Sequence, residues 1–278
     1  MTGTSGMLGS AVVQCTPASL QVIPFTRADA DLTEWSAVER AVAELSPQTI
    51  IHCAAYADVD GCTTDPQRAW ANNADATRLI AEACRENDVR LVYVSTDYVF
   101  SGTKCDPYTP EDEPDPINVY GESKLVGEQA VAECLEDYLI VRTQWLYGPG
   151  GRHFVEAVIR RARSGQLLRV VCDEMGSPTY VCDLAEALWL AAVSELTGVV
   201  HVTNSGFCSR LKLAREALDL AGMSSMQIEP IRSDQWPSPT RRPLHAILNN
   251  SRWIQAGYPS LRPWQQALAD FIGSYLLA

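Results

Sequence analysis

The sequence has few basic residues and no long apolar run. Its 278 residues include 22 Lys and Arg against 34 Asp and Glu, and the formal net charge is -12 with a pI of about 4.8. Without a field of positive charge, the chain is not built to bind nucleic acid or an anionic membrane as its principal partner. It has no segment long enough to cross a bilayer and no signal peptide, so we expect a cytoplasmic protein.

Metal-binding and disulfide patterns are also missing. The nine Cys are scattered singly, without a CxxC pair, and neither they nor the four His cluster at ligand spacing. An odd number of isolated cysteines indicates reduced thiols, and no metal site is predicted. With 46% hydrophobic residues, the chain can bury one large core or a main domain and a smaller one.

Strand and helix patterns alternate along most of the chain. Strands are predicted at Leu20–Arg27, at Thr49–Tyr56, from Leu91 onward, at Leu139–Tyr147, and at 167–172 and 198–203. Helices are predicted from Asp31–Thr33 to about Leu45, and at Pro66–Asn87, 153–164 and 183–195. This alternation predicts an α/β fold, a Rossmann-type doubly wound parallel sheet with a smaller C-terminal substrate-binding lobe. We expect a dinucleotide-binding domain at 1–150, with the late strand near 198–203 returning to it, and a mainly substrate-binding lobe at 151–278.

The chain begins with a glycine-rich turn that runs into a helix pattern. Gly3, Gly6 and Gly9 form a GxxGxxG motif, which in a dinucleotide site lets the backbone approach a pyrophosphate at a helix N-terminus. Only two residues precede Gly3, whereas such a turn normally follows a central strand. Five missing buried residues would cost about 7–15 kcal/mol. We therefore expect either a natural start upstream of Met1 or a strained N-terminus.

Two later segments point to the same ligand. Arg27 ends the second predicted strand, where an Arg accommodates the 2′-phosphate of NADPH, and Asp29 leaves NADH as the alternative. The next strand ends in small residues that would let the cofactor lie close. His52 within it is interpreted as a core residue, and the amide of Asn72 or Asn73 as a brace for a neighbouring loop.

A tyrosine and a lysine lie four residues apart just after the strand that begins at Leu91. Tyr120 and Lys124 would share one face of a helix, and a hydroxyl at the strand end, Ser95 or Thr96, would lie opposite them. A phenol has a pKa near 10, and an ammonium within about 4–6 Å lowers such a pKa by roughly 1–3 units. This arrangement predicts a proton donor beside a carbonyl or an alcohol.

Taken together, the glycine motif and the segments STDYVF (95–100) and YGESK (120–124) resemble the extended short-chain dehydrogenase/reductases. Within that superfamily, the resemblance extends over almost the whole chain to the reductases of dTDP-linked 4-keto-6-deoxy sugars. It implies an NADPH-dependent reduction of the C4 ketone of dTDP-4-dehydro-6-deoxy-L-mannose to dTDP-L-rhamnose. A nucleotide sugar is then the partner, and a homodimer is compatible with the resemblance.

The resemblance also implies a role for individual residues. Thr96, Tyr120 and Lys124 would be catalytic: Thr96 would polarise the carbonyl, Tyr120 would donate the proton, and Lys124 would bind the nicotinamide ribose. The implied cofactor contacts are Gly3, Gly6, Met7, Leu8, Arg27, Asp31, Leu32, Ala54, Ala55, Tyr56, Asn73, Tyr120 and Lys124. The implied substrate contacts are Thr96, Asp97, Tyr98, Tyr120, Trp145 and Arg242.

Four positions depart from the family pattern. His153 replaces a usual Asn, Glu174 a usual Gln and Gln144 a usual Ser, and the last of these leaves the choice of sugar open. Ala11 occupies the position of a Glu that bridges dimers through magnesium in some members, so that metal site is not predicted.

Other functions share the same core motif. One alternative is a reductase of another nucleotide-linked 4-ketosugar, and another is a non-catalytic NADP-binding regulatory subunit like the β subunit of methionine adenosyltransferase. An epimerase or dehydratase is less favoured, because a dehydratase would carry further acidic residues after the strand-end hydroxyl, where Asp97 is followed by Tyr98.

Overall fold

The computed structural model describes residues 1–276 and has helices on both faces of a parallel sheet. Its strands are β1 Thr49–His52, β2 Arg90–Thr96, β3 Tyr138–Thr143, β4 Leu146–Tyr147, β5 Leu168–Val171, β6 Met175–Gly176, β7 Thr179–Tyr180, β8 Gly198–His201, β9 Cys208–Ser209 and β10 Ile228–Ile231. Its α-helices are α1 Met7–Gln14, α2 Trp35–Leu45, α3 Val59–Thr64, α4 Pro66–Trp70, α5 Ala76–Glu86, α6 Val119–Cys134, α7 Phe154–Arg163, α8 Val181–Ala192, α9 Arg210–Leu220, α10 Ser251–Gln255 and α11 Trp264–Phe271. Within the described residues, no helix combines the length and apolar character needed to cross a bilayer.

The main sheet has the parallel order β1-β2-β3-β8. Its central strand β2 carries the nearly continuous apolar run Leu91–Val94, as expected of a strand covered on both faces. Helices α1 and α8 pack on one face of the sheet, and α2 and α5 pack on the other. The predicted α/β class is therefore confirmed, and the expected return strand is β8, which pairs with β3.

The later part of the chain builds a second group of small sheets. β5 pairs with β10 and β4 with β7 in parallel, whereas β6 and β9 are antiparallel. Helices α7, α9 and α11 enclose an apolar cluster that includes Ile159, Leu213, Trp264 and Phe271. This group is connected to the carboxyl end of the main sheet, because Trp145 and β4 follow β3 directly in the chain.

The prediction of a regular β-strand at Leu20–Arg27 is wrong. This segment makes a single bridge, between Phe25 and Thr2, and Thr2 also bridges to His52 of β1. Thr2 is the sole described residue that bridges Phe25, and Pro24 has no N–H to donate. The segment therefore follows the edge of the sheet without a regular hydrogen-bond pattern.

Two predicted helices differ from the observed ones. The helix expected to begin at Asp31–Thr33 begins at Trp35, because Asp31 accepts from the backbone N–H and the hydroxyl of Thr33 in a local turn. The helix expected over Pro66–Asn87 is divided into α4 and α5 by a π-helical turn, Ala71–Asp75. Such turns are frequent at functional sites, and this one contains Asn73.

The strand predicted over Leu139–Tyr147 is interrupted at Trp145. Trp145 has φ +49°, a left-handed conformation that is strained for a bulky residue. The interruption separates β3 from β4 and turns the indole toward Gly176, where a Cβ would lie 2.6 Å from the ring. The strain therefore occurs where the chain leaves the main sheet.

A buried ion pair joins α6 to the main sheet. The side chains of Glu128 and Arg142 are 3% and 4% exposed, and the guanidinium donates from Nε (2.9 Å) and Nη2 (2.6 Å) to the two carboxylate oxygens. Removing one partner of such a pair leaves a buried charge without compensation.

We expect Glu128→Ala to destabilise the protein by about 3–5 kcal/mol in urea unfolding. Glu133→Ala on the same helix is the matched control, because Glu133 is exposed and pairs with Arg78 across 3.4 Å; its loss should be at most about 1 kcal/mol. Equal losses in the two variants would show that the buried pair does not anchor α6.

Candidate active site

The glycine turn leads directly into α1. Gly6 is the N-cap and offers no side-chain cap, so the first N–H groups of the helix remain available to a ligand. Gly3 has φ +72°, and a Cβ there would lie 2.6 Å from the backbone nitrogen of Ala54. Only glycine lets the turn approach the end of β1 this closely.

A cleft of about 250 Å³ opens beside this turn. Eight of the cofactor residues implied by the resemblance line it: Gly3, Gly6, Arg27, Asp31, Leu32, Ala54, Ala55 and Tyr56. Met7 and Leu8 lie in the first turn of α1 without lining the cleft. The predicted residues thus converge on one cavity with a free helix N-terminus, and this fits a dinucleotide.

Sequence reasoning missed several residues of this cleft. They are Ser5, Phe25, Thr26, Ala30, Cys53, Arg68, Asn72 and Ala76. Arg68 is the notable one, because its guanidinium lies 4.2 Å from the centre of the Tyr56 ring. No motif surrounds Arg68, so no signal in the sequence distinguishes it from a surface arginine.

Arg27 and Asp31 lie at the mouth of the cleft. Their side chains are 71% and 42% exposed, and Arg27 Nη2 is 3.5 Å from Asp31 Oδ2. Asp29, the alternative cofactor-selecting carboxylate, instead accepts from the N–H and hydroxyl of Thr26. Arg27 is therefore an accessible cation at this point, whereas the Asp29 carboxylate is hydrogen-bonded within the turn.

Asn73 lies behind the cleft. It is fully buried; its Oδ1 accepts from the Tyr56 N–H at 2.7 Å, and its Nδ2 donates to Tyr56 O at 3.1 Å and to Ser123 Oγ at 3.0 Å. Its amide braces a loop, as predicted, and ties the loop after β1 to α6. The direct contact with the cofactor that the resemblance implies stays a prediction.

A buried polar network lies at the end of β2. Thr96 donates to Asp97 Oδ1 at 3.1 Å, and Gln144 Nε2 donates to Asp97 Oδ2 at 3.0 Å and to Ala246 O at 2.9 Å. Gln144 Oε1 accepts from the Ser177 N–H at 2.8 Å. Gln144 thus links the strand end to two loops of the second group of sheets.

Helix α6 presents Tyr120 to this strand end. Asn118 caps the helix by accepting from the Gly121 N–H at 2.9 Å. A Cβ at Gly121 would overlap the carbonyl oxygen of Tyr98, so glycine permits the close approach of the helix. As a result the rings of Tyr98 and Tyr120 meet edge to face, with centroids 5.3 Å apart.

Lys124 lies one turn further along α6 and is 2% exposed. Its Nζ donates to Val94 O at 2.8 Å and lies 4.0 Å from the centre of the Tyr93 ring. Burial lowers the pKa of Lys124 to about 7, while the nearby carboxylate of Glu128 raises it.

The expectation that Lys124 lowers the pKa of the phenol is wrong. Burial raises the pKa of Tyr120 above its ordinary value, and the main opposing contribution is a hydrogen bond with Thr96. The ammonium is directed at the strand carbonyl and the Tyr93 ring instead. Tyr120 therefore keeps its proton at neutral pH.

A second, larger cleft of about 780 Å³ lies between the strand ends and the second group of sheets. Tyr98, Trp145 and Arg242 line it, as the resemblance implies for substrate contacts. Thr96 and Asp97 are 5% and 3% exposed and lie beneath its surface, and Tyr120 reaches it through its contact with Tyr98.

The larger cleft also contains charged residues that sequence reasoning missed. They are Asp58, Arg152, Arg169, Glu174 and Arg210. Glu174 and Arg210 form an ion pair. Arg210 follows a Ser N-cap at the start of α9, a pattern shared by many surface helices. Among the described residues, no group of three or more His, Cys, Asp or Glu is arranged to hold a metal ion.

These features define a class of protein. A glycine turn and free helix N-terminus beside one cleft, with a hydroxyl, a phenol and a buried lysine at the neighbouring strand end, are the parts of a nicotinamide-dependent oxidoreductase with a Rossmann-type fold.

Comparison with known proteins specifies the family. The family model described as RmlD substrate binding domain matches residues 1–277, so the chain belongs to this family, which includes dTDP-4-dehydrorhamnose reductases. It is 40% identical to the dTDP-4-dehydrorhamnose reductase of Mycobacterium tuberculosis, over 99% of this chain and 92% of that protein. It is 36% identical to the dTDP-4-keto-6-deoxy-D-glucose reductase of Streptomyces niveus, over 97% and 94%.

A solved structure agrees over nearly the whole chain. The dTDP-4-dehydrorhamnose reductase of Bacillus anthracis, crystallised in complex with NADP, superposes with a TM-score of 0.94 at 36% identity. The match covers 98% of this chain and 96% of that chain.

The carboxyl group of Asp97 gives a testable pH dependence. Burial raises its pKa from 3.8 to about 6, against the hydrogen bonds from Gln144 and Thr96 and the charge of Arg210. Because the pKa is higher in the folded state than in the unfolded state, the protonated carboxyl of Asp97 adds to the free energy of unfolding. This contribution is fully present below pH 3.8 and is lost as the pH rises through about 6.

We expect the isosteric Asp97→Asn variant, which cannot ionise, to gain stability relative to the natural protein between pH 4 and 6, by up to about 3 kcal/mol. Urea unfolding at half-unit pH steps measures this difference. A difference that stays constant across that range would contradict a raised pKa at Asp97.

Proposed function

We propose that this protein reduces the C4 ketone of dTDP-4-dehydro-6-deoxy-L-mannose to dTDP-L-rhamnose with NADPH. The observation that carries the proposal is the meeting of three side chains at the end of β2. Thr96 and Lys124 are buried there, and the half-buried Tyr120 is hydrogen-bonded to Thr96 and shares a helix with Lys124. The names of the full-length relatives, and NADP in the B. anthracis structure, support the same reaction.

Each side chain has a defined task in this proposal. NADPH, when bound, supplies the hydride. Tyr120 keeps its proton until negative charge develops on the substrate oxygen, because burial makes the isolated phenolate unfavourable. The Thr96 hydroxyl orients that oxygen, and Asp97 and Gln144 fix the rotamer of Thr96 and the position of the strand end.

Lys124 has an electrostatic task. Once the proton has left Tyr120, the ammonium on the next helical turn stabilises the phenolate. Because the pKa of Lys124 is lowered to about 7, a ligand that binds next to Nζ can change the protonation of this amine. A ribose hydroxyl that accepts from Nζ would favour the charged form.

We propose that the site is divided along the chain as the sequence suggested. Residues 1–150, with the return strand near 198–203, would hold the dinucleotide, and residues 151–278 would mainly hold the nucleotide sugar. The separate positions of the two clefts support this division. A homodimer and a cytoplasmic location stay predictions from the sequence.

A reductase of another nucleotide-linked 4-ketosugar is the second candidate. Gln144 and the S. niveus relative favour it, since Gln144 holds Asp97 beneath the larger cleft and that relative is named for a different 4-keto-6-deoxy sugar. A non-catalytic NADP-binding subunit is less favoured, because the strand-end hydroxyl, the phenol and the lysine are all present, with Thr96 and Lys124 buried and Tyr120 half-buried.

The reductase proposal predicts that Tyr120→Phe loses about 10²–10⁴-fold in kcat, because it removes the proton donor. The assay is NADPH oxidation with enzymatically prepared dTDP-4-keto-L-rhamnose, and NADPH binding should be retained. Tyr138→Phe, at the distant start of β3, is the matched control and should keep full activity. Full activity in the Tyr120 variant would exclude the phenol as the donor.

Cofactor choice can be tested separately at Arg27. Because this exposed guanidinium is placed to pair with a 2′-phosphate, Arg27→Ala should weaken NADPH about 10–100-fold and leave NADH within twofold, as measured by fluorescence titration. Arg40→Ala on the exposed face of α2 is the control for loss of charge. Equal affinities of the natural protein for NADPH and NADH would contradict a contact between Arg27 and the 2′-phosphate.

A further inference from the structure

Arg210 is held in the larger cleft by its own backbone. Its N–H donates to Glu174 O at 3.2 Å, and the preceding residue, Ser209, lies in β9, which pairs with β6. Ser209 also caps α9 by accepting from the Lys212 N–H at 3.1 Å. The side chain therefore starts from a fixed point at the wall of the cleft.

The guanidinium is packed from behind. Its central carbon lies 3.5 Å from the centre of the Trp145 ring and 5.1 Å from that of Phe154, and Nε is 3.4 Å from Glu174 Oε2. The side chain is 16% exposed. A stacked, paired arginine of this kind loses little further conformational entropy when its terminal nitrogens bind a ligand.

The two terminal nitrogens of Arg210 differ from those of Arg242. Arg242 donates from Nη1 to Ser238 Oγ at 2.9 Å and from Nη2 to Asp60 Oδ1 at 3.1 Å. Both terminal nitrogens of Arg242 are therefore already hydrogen-bonded within the protein. Within residues 1–276, by contrast, the hydrogen bond formed by the Arg210 side chain is that of Nε with Glu174. Its Nη groups are thus free to meet an acceptor in the cleft.

The charge of the cleft indicates the kind of acceptor. Four arginines and two carboxylates line it, Arg152, Arg169, Arg210, Arg242, Asp58 and Glu174, in a chain whose net charge is -12. A local excess of positive charge on an acidic protein attracts an anion. A planar fork with two parallel donors matches the geometry of a phosphate group.

We propose that Arg210 is a substrate-binding residue whose Nη groups hold the diphosphate of the nucleotide sugar. This rests on the proposed function for the class of substrate. Tyr98, Trp145, Arg210 and Arg242 all line this cleft. A sugar lying against Tyr98 and Trp145 would present its diphosphate to Arg210, with the nucleoside beyond it.

The test compares ligands with and without phosphate. Calorimetric titration of the full chain with dTDP, UDP and thymidine should show that Arg210→Gln weakens dTDP about 10–100-fold, while thymidine and NADPH stay within twofold. Arg210→Lys keeps the charge without the fork and should give an intermediate loss. Lys212→Gln, exposed two residues further along α9, removes the same charge and should leave dTDP unchanged.

Two results would overturn the inference. In one, Arg210→Gln binds dTDP as tightly as the natural protein; in the other, it loses dTDP and thymidine equally, which indicates a structural role. A natural protein that binds neither dTDP nor UDP would overturn it as well. The two proposals can be told apart. If the natural protein does not reduce the ketosugar but Arg210→Gln still selectively weakens dTDP binding, the proposed reductase function fails and the inference about Arg210 is supported.

Discussion

The site depends on a lysine that the fold keeps out of water. Lys124 is held by one strand carbonyl and one aromatic face, and neither is a full counter-charge. Burial therefore lowers its pKa to about 7, and Glu128, one turn further along the same helix, opposes this lowering. Since Glu128 is itself bound by Arg142 from β3, the charge of the lysine is linked to the packing of α6 on the sheet.

The same packing explains why the phenol is a proton donor rather than a phenolate. Gly121 lets α6 approach the Tyr98 carbonyl, and Tyr120 is half-buried against this strand end. A half-buried phenol holds its proton until a charge appears beside it, and the substrate oxygen is where that charge develops. The lysine then acts on the charged product of the transfer rather than on the resting phenol.

Local sequence was sufficient for the parts of the site that are close together in the chain. Tyr120 and Lys124 are four residues apart on one helix, and the apolar run of β2 ends at Ser95 and Thr96, so the spacing predicted that these groups lie close together. The choice of Thr96 over Ser95 came from the resemblance. Asn73 and Arg210 could not be assigned in this way. The place of Asn73 depends on a π-helical turn, and that of Arg210 on a tryptophan whose backbone is strained. The prediction of a strand at Leu20–Arg27 was wrong because a β-strand needs a neighbouring strand to pair with, and local composition does not show whether one is present.

The most direct test of the central claim is the fate of the hydride. With NADPH deuterated at C4 of the nicotinamide and the dTDP-linked 4-ketosugar, mass spectrometry and NMR of the product should show one deuterium, bound to C4 of the sugar in a single configuration. A product without deuterium, or an isomerised ketosugar with no oxidised cofactor, would contradict the assignment of Tyr120, Thr96 and Lys124 to carbonyl reduction.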